Sequence, residues 1–204
     1  NSCALSEQEE HKLMQHIISK KSIFISTPFS KLAVDRLIKF NVPAFKIGSG
    51  ECNNFPLVQY IAQFKKPMII STGMNNIESI KKTVAIVERM KVPYALLHCT
   101  NVYPTPPELV RLNAIDVLSE EFPRAIIGLS DHTINNFTSL GSVSLGASII
   151  ERHFTDSKSR VGPDIPCSMD PNDLKNLLIG VKTLFLARGD YKGPVKEEMP
   201  CINF

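Results

Sequence analysis

Short apolar runs recur along the chain, and between them apolar positions fall at helical spacing. The runs are Ser22–Thr27 (SIFIST), Ala44–Ser49 (AFKIGS), Pro67–Thr72 (PMIIST), Tyr94–Cys99 (YALLHC), Ala125–Ser130 (AIIGLS) and Ser148–His153 (SIIERH). Each is rich in Ile or Leu with few polar breaks, a pattern that suits strands buried on both faces of a parallel sheet. Ser6 with Glu9 forms a capping-box signal ahead of a helix through about Lys20. Asn75 with Glu78 marks a second helix ending near Met90, and Asp170 followed by Pro171 starts a third that reaches about Arg188. The remaining crossovers read as helices over Leu32–Phe40, Pro56–Phe64, Glu108–Phe122 and Phe137–Gly146.

Strands recurring every ~20–30 residues with helices between them are serial βαβ units. An open doubly wound sheet and a (β/α)8 TIM barrel both satisfy that order. Polar residues at the C-terminal strand ends (Thr27, Ser49, Thr72, His98, Ser130, His153) favour the barrel. In a barrel the loops leaving those ends converge on one site, whereas an open sheet confines its ligand to a switch point. Six strands are visible where a barrel has eight, and the text opens on a helix. The expectation is therefore a partial barrel domain over residues 1–188, with the first two strands preceding residue 1. Residues 189–204 (GDYKGPVKEEMPCINF) read as a linker.

Composition adds little beyond exclusions. A hydrophobic content of 43% and a charged content of 21% in 204 residues are those of an ordinary soluble domain. The net charge of +3 comes from scattered Lys and Arg, unlike the clustered basic face of a nucleic-acid-binding protein, and it suits anionic substrates. No apolar run approaches the roughly 20 residues of a membrane span, and no signal peptide is legible. Five widely spaced cysteines (Cys3, Cys52, Cys99, Cys167, Cys201) contain no CxxC pair and read as free thiols of a reducing, cytoplasmic setting.

Four segments carry candidate chemistry. In FKIGSGE, Lys46 interrupts an apolar strand, which is costly unless the ammonium meets an anion. With Ser49 and the flanking Gly48 and Gly50 it suits a phosphate or carboxylate cradle, and it equally suits a tight strand-to-helix turn with a surface lysine. HCTNVYPTP carries Asn101 and Tyr103 on a proline-stiffened loop, both able to orient a polyol. His132 in GLSDHT and His153 in IERHFTD end consecutive predicted strands. They suit a divalent cation with open coordination positions, or two histidines packed in a barrel rim. Asp164 in VGPDIPCSM fits a loop turn, a sugar contact or a base.

Taken together, the phrases FKIGSGECNNFPL, KPMIISTGMNNIESI, ALLHCTNVYPTP, IIGLSDHT, ERHFTD and GPDIPCSM resemble the sialic acid synthase family, in that family's order. They span about Ser26 to Asp170, and CTNVYPTP and ERHFTD with GPDI look closest to bacterial N-acetylneuraminate synthases. The resemblance implies a TIM barrel followed by a C-terminal antifreeze-like (SAF) domain beyond Phe204, in a domain-swapped homodimer. It implies that Thr27, Lys46, Ser49, Asn101 and Ser130 bind phosphoenolpyruvate. It makes His132 and His153 the metal ligands, for Mn2+ first, with Mg2+ or Co2+ as alternatives. Glu51, Tyr103 and Asp164 match sugar contacts, Glu51 and Asp164 being the acidic groups at the reaction centre. The family's glutamate and asparagine-histidine segment on the first strand, and its lysine-glutamine pair on the next, would precede residue 1.

The implied reaction condenses phosphoenolpyruvate with the open-chain aldehyde of N-acetylmannosamine and water, giving N-acetylneuraminate and phosphate by C–O cleavage. The metal would polarise the aldehyde, and the barrel would hold C3 against it. Acceptors giving legionaminic, pseudaminic or 9-phosphate acids are alternatives. So are a related phosphoenolpyruvate-dependent aldose synthase, whose metal set would include a cysteine such as Cys99, and a non-catalytic sugar-binding barrel.

Overall fold

The structure, a computed structural model, describes residues 5–202, so Cys3 lies outside the described residues. Five parallel strands, β1 (Phe45–Ile47), β2 (Met68–Ser71), β3 (Tyr94–Cys99), β4 (Ile126–Asp131) and β5 (Ile149–Arg152), pair in sequence order. Helices alternate with them: α1 (Glu7–Ser19), α2 (Lys31–Lys39), α3 (Phe55–Ala62), α4 (Ile77–Arg89), α5 (Ala114–Glu121), α6 (Phe137–Ser144) and α7 (Pro171–Ala187). A short helix, α8 (Met199–Ile202), follows. The sheet is a curled half-barrel. Lys46 on β1 and Glu151 on β5, the two end strands of the ladder, stand only 3.4 Å apart across its concave face.

Alternation along each strand separates two environments. On the convex face Phe45, Ile47, Met68, Ile70, Tyr94, Leu96 and Ile127 pack beneath helix residues such as Val34, Leu37, Val58, Ile61, Val87 and Leu118. Fully burying one such side chain contributes about 1.5–3 kcal/mol, so this layer holds the helices to the sheet. Lys46, Ser71, Cys99, Ser130 and Glu151 belong to the concave face, together with Leu97, Gly128 and Ile149. A Cβ on Gly128 would lie 2.4 Å from the Ile149 carbonyl oxygen and 2.6 Å from Leu97 Cδ2, so glycine is what lets β4 and β5 meet there.

The capping signals are present at α1, where Ser6 and Glu9 bond reciprocally, and at α7, where Asp170 and Asp173 do so with Pro171 in the first turn. At α4 the cap is Asn76, one residue beyond the predicted Asn75. Asn76 accepts from Ser79 N, while Asn75 donates its amide to the Ser49 and Gly73 carbonyls.

Three other expectations are corrected. Ser22–Thr27 forms no ladder: the segment runs beside β1 with one backbone bond to it, Lys46 N to Ser26 O at 3.5 Å. The helix expected over Glu108–Phe122 is broken. A 3-10 turn (Pro107–Leu109) and a left-handed Arg111 (φ 55°) precede α5, and the positive φ of Arg111 takes the chain out of the right-handed helix. The 189–204 stretch is not all loop, since a 3-10 turn (Lys196–Glu198) leads into α8.

Candidate active site

The site lies on the concave face at the C-terminal ends of the strands. Lys46 is 8% exposed, and its ammonium donates to the Ile47 carbonyl at 3.0 Å and to Ser71 Oγ at 2.8 Å. Its charge is met by Glu151 Oε1, and Ser130 donates its hydroxyl to the same oxygen at 2.9 Å. The anion that a lysine in an apolar strand requires is thus supplied from within the chain. Sequence reasoning missed Glu151, although a glutamate inside SIIERH is as anomalous as a lysine inside AFKIGS.

Ser49, on the 3-10 turn after β1 (Ser49–Glu51), is buried and accepts from Gly73 N at 3.1 Å. Gly73 serves this arrangement by having no side chain. A Cβ there would sit 2.1 Å from Asn101 Oδ1 and 2.8 Å from Ser49 Oγ. Asn101 also accepts from the Cys99 thiol at 3.1 Å. Half-buried Thr27 borders the cradle through Gly48, whose added Cβ would touch Thr27 Cγ2 at 3.8 Å. Lys46, Ser49, Asn101 and Ser130 therefore share one concavity, with Thr27 at its margin.

The histidine pair stands beside it. His132 and His153 have ring centroids 5.4 Å apart, and the Tyr103 ring stacks on His132 at 4.0 Å while meeting His153 edge-on at 5.6 Å. The loops are tied together: Thr105 N donates to the His132 carbonyl at 2.9 Å, and Met169 N to the His153 carbonyl at 2.9 Å. The second tie returns the 154–169 loop so that Asp164 Oδ2 lies 3.6 Å from His153 Nδ1. His132 Nδ1 donates to the Thr100 carbonyl at 2.9 Å, which leaves Nε2 with its lone pair. Burial depresses the His132 pKa below the usual imidazole value, against the opposing pull of the Thr100 bond, and nearby His153 lowers it further. A neutral imidazole with its tautomer fixed by a backbone carbonyl fits a metal ligand. Among the described residues no group of three or more His, Cys, Asp or Glu side chains is arranged to hold a metal ion. Cys99 lies 4.0 Å from His132 Nδ1, and burial raises its pKa, keeping it a thiol.

One expected residue is placed elsewhere. His98 points to the convex side, where its Nε2 donates to the Val110 carbonyl at 2.5 Å, so it is a structural group rather than part of the mouth. Glu51, on the turn after β1 that also carries Ser49, accepts from Asn54 Nδ2 at 2.6 Å. Sequence reasoning also left Arg152 unused. Its side chain is fully buried, bonding the Thr133 and Asn135 carbonyls and Asn136 Oδ1, with Asp131 Oδ2 at 4.0 Å. It fixes the loop that carries His132 to the strand that carries His153.

A sequence model of the NeuB family matches residues 1–193. The chain belongs to the NeuB family. It is 42% identical over 98% of its length to an uncharacterized protein of Methanocaldococcus jannaschii, covering 60% of that protein. It is 37% identical to the N,N'-diacetyllegionaminic acid synthase of Legionella pneumophila, over 95% of this chain and 56% of that one. Among solved structures, the N-acetylneuraminic acid (sialic acid) synthetase of Leptospira borgpetersenii superposes with a TM-score of 0.92 at 29% identity, covering 98% of this chain and 70% of that one. The chain thus spans little more than half the length of these two curated NeuB-family relatives.

Proposed function

We propose that the chain is the main part of the catalytic barrel of a synthase that condenses phosphoenolpyruvate with an N-acetylated amino-sugar aldehyde to a nonulosonic acid, N-acetylneuraminate in the first instance. The observation that carries the reading is adjacency. A buried-lysine anion cradle and a histidine pair with a free imidazole nitrogen share one concave mouth, linked by Cys99 and Asn101. In a bimolecular carbon–carbon condensation, holding both partners at such a mouth removes much of the entropic barrier.

Lys46 holds the negative charge of phosphoenolpyruvate in a setting where water screens it poorly. Ser49, Asn101, Ser130 and Thr27 orient its phosphate and carboxylate with directional donors. His132 and His153 would hold a divalent cation, Mn2+ by preference, whose chemistry is Lewis-acid polarisation of the aldehyde oxygen. C3 of phosphoenolpyruvate bonds to the aldehyde carbon as the carbonyl π pair moves to oxygen and takes a proton, and water adds at C2 with loss of a proton. The C2–O bond breaks, releasing phosphate and leaving the 2-keto acid. Tyr103 shields one face of His132, and Asp164, beside His153, would accept from sugar hydroxyls or take the proton of the water that adds at C2, with Glu51 a further sugar contact.

N-acetylmannosamine is the preferred acceptor because Glu51, Tyr103 and Asp164 match the residue types that the family resemblance assigns to its sugar contacts. The Legionella relative's legionaminic acid keeps diacetamido sugars as the second choice. No helix among the described residues is long and apolar enough to cross a membrane, and the buried free thiols suit the cytoplasm. We place the full polypeptide there as a homodimer with a C-terminal antifreeze-like domain. Mass spectrometry of products from the full polypeptide, phosphoenolpyruvate, Mn2+ and each acceptor tests the reading. A nine-carbon keto acid from one of them supports it, and none from any of them contradicts it.

A further inference from the structure

We infer that Glu151 is a built-in occupant of the anion cradle, and that the anionic substrate enters by exchanging with its carboxylate. The inference rests on the proposed function, because it gives a second role to two groups assigned to phosphoenolpyruvate. Lys46 Nζ, 3.4 Å away, and the Ser130 hydroxyl, at 2.9 Å, converge on one oxygen, Glu151 Oε1. Two of the three ammonium protons go to Ile47 O and Ser71 Oγ, which leaves one for an anion. Ser130 has a single proton to donate. Glu151 and a substrate anion therefore compete for the same two donors.

Burial decides which partner moves. The Lys46 side chain is 10% exposed and anchored by two bonds, whereas that of Glu151 is 42% exposed on the open end strand. The carboxylate can turn to water at small cost, while the lysine cannot leave without stranding a buried charge. Glu151 so keeps the cradle neutralised before an anion enters, and every entering anion must displace it. A singly charged carboxylate that replaces it gains little, whereas a phosphate group bearing about −1.5 to −2 gains clearly. That difference belongs to the two anions, and the cost of displacing Glu151 is common to both.

Calorimetric titration of the manganese-loaded full polypeptide, without acceptor sugar, tests the exchange with phosphoenolpyruvate and pyruvate as probes. Glu151→Gln keeps the shape and loses the charge. It is expected to tighten phosphoenolpyruvate by roughly threefold to tenfold, the scale of a partly exposed charge pair, and pyruvate by about the same factor, because both displace the same carboxylate. Unchanged or weaker binding of phosphoenolpyruvate by the variant, when the wild type binds it, overturns this inference alone. A wild type that does not bind phosphoenolpyruvate overturns the synthase reading and this inference together. The wild-type complex gives a second measure independent of the variant's folding. Glu151 is expected off Lys46 when phosphoenolpyruvate is bound, and a retained contact overturns the exchange.

Discussion

Replacing Gly73 by alanine tests how the cradle is assembled. The new methyl carbon would stand 2.1 Å from Asn101 Oδ1 and 2.8 Å from Ser49 Oγ. An ordinary contact needs about 3.5 Å, so the Asn101 amide must retreat by more than about 1 Å. The obstacle is the end of a side chain rather than backbone, which puts the stability cost toward the lower part of the ~1–3 kcal/mol typical of overpacking. The functional cost is larger, because a misplacement of about 1 Å in a positioning group can reduce activity by about a hundredfold. A double-mutant cycle isolates the cause. In an Asn101→Ala background the nearest obstacle is gone while Ser49 Oγ remains, and Gly73→Ala is expected to lose more than half of its penalty. Urea denaturation of the four full-length proteins, with phosphoenolpyruvate affinity measured on each, reads both effects. Equal penalties in the two backgrounds, within about 0.5 kcal/mol, would refute the reasoning.

Three further outcomes follow from the same geometry. Arg152→Met removes a fully buried guanidinium that joins three acceptors of the loop after β4, and it should destabilise the fold by about 3 kcal/mol or more in chemical denaturation; a change below about 1 kcal/mol would contradict its role. His98, lowered by burial and by Arg111 despite its Val110 bond, and His132 both hold depressed pKa values in the fold. As pH falls below about 6.5 the unfolded chain takes up protons first, so stability that is full above that pH declines as the folded pKa values are approached, and His98→Gln should flatten the decline in urea midpoints. Gly128→Ala sets a methyl against the Ile149 carbonyl of the neighbouring strand, where backbone rather than a side-chain end must yield; melting should therefore show a larger loss than Gly73→Ala, and an equal or smaller one would contradict the packing.

Much of the fold was legible because its strands are short apolar runs bounded by capping signals that act locally. Ser6, Asp170 and Pro171 needed no tertiary context to announce α1 and α7. What escaped depended on register and distance. His98 and Ser130 both look like polar strand ends, but Ser130 pairs with Cys99 and His98 with Leu129, and only one of the two alternating sides faces the cradle. Glu151 escaped because its partner Lys46 lies at the other end of the ladder, and only curling of the sheet brings the two together. Ser22–Thr27 has strand composition, yet composition cannot supply a ladder, and one backbone bond holds it to β1. The break before α5 lies at the left-handed Arg111, which carries no sequence signal.

The central claim is that the lysine cradle and the histidine pair act as one metal-assisted condensation site. Phosphate release by the full polypeptide, given phosphoenolpyruvate, Mn2+ and N-acetylmannosamine, tests it most directly beside a folded His132→Ala control. The account predicts release that requires both the metal and the sugar and that the variant loses. Release undiminished in the variant would contradict the assignment of His132, and silence of the wild type with every acceptor tried would contradict the synthase itself.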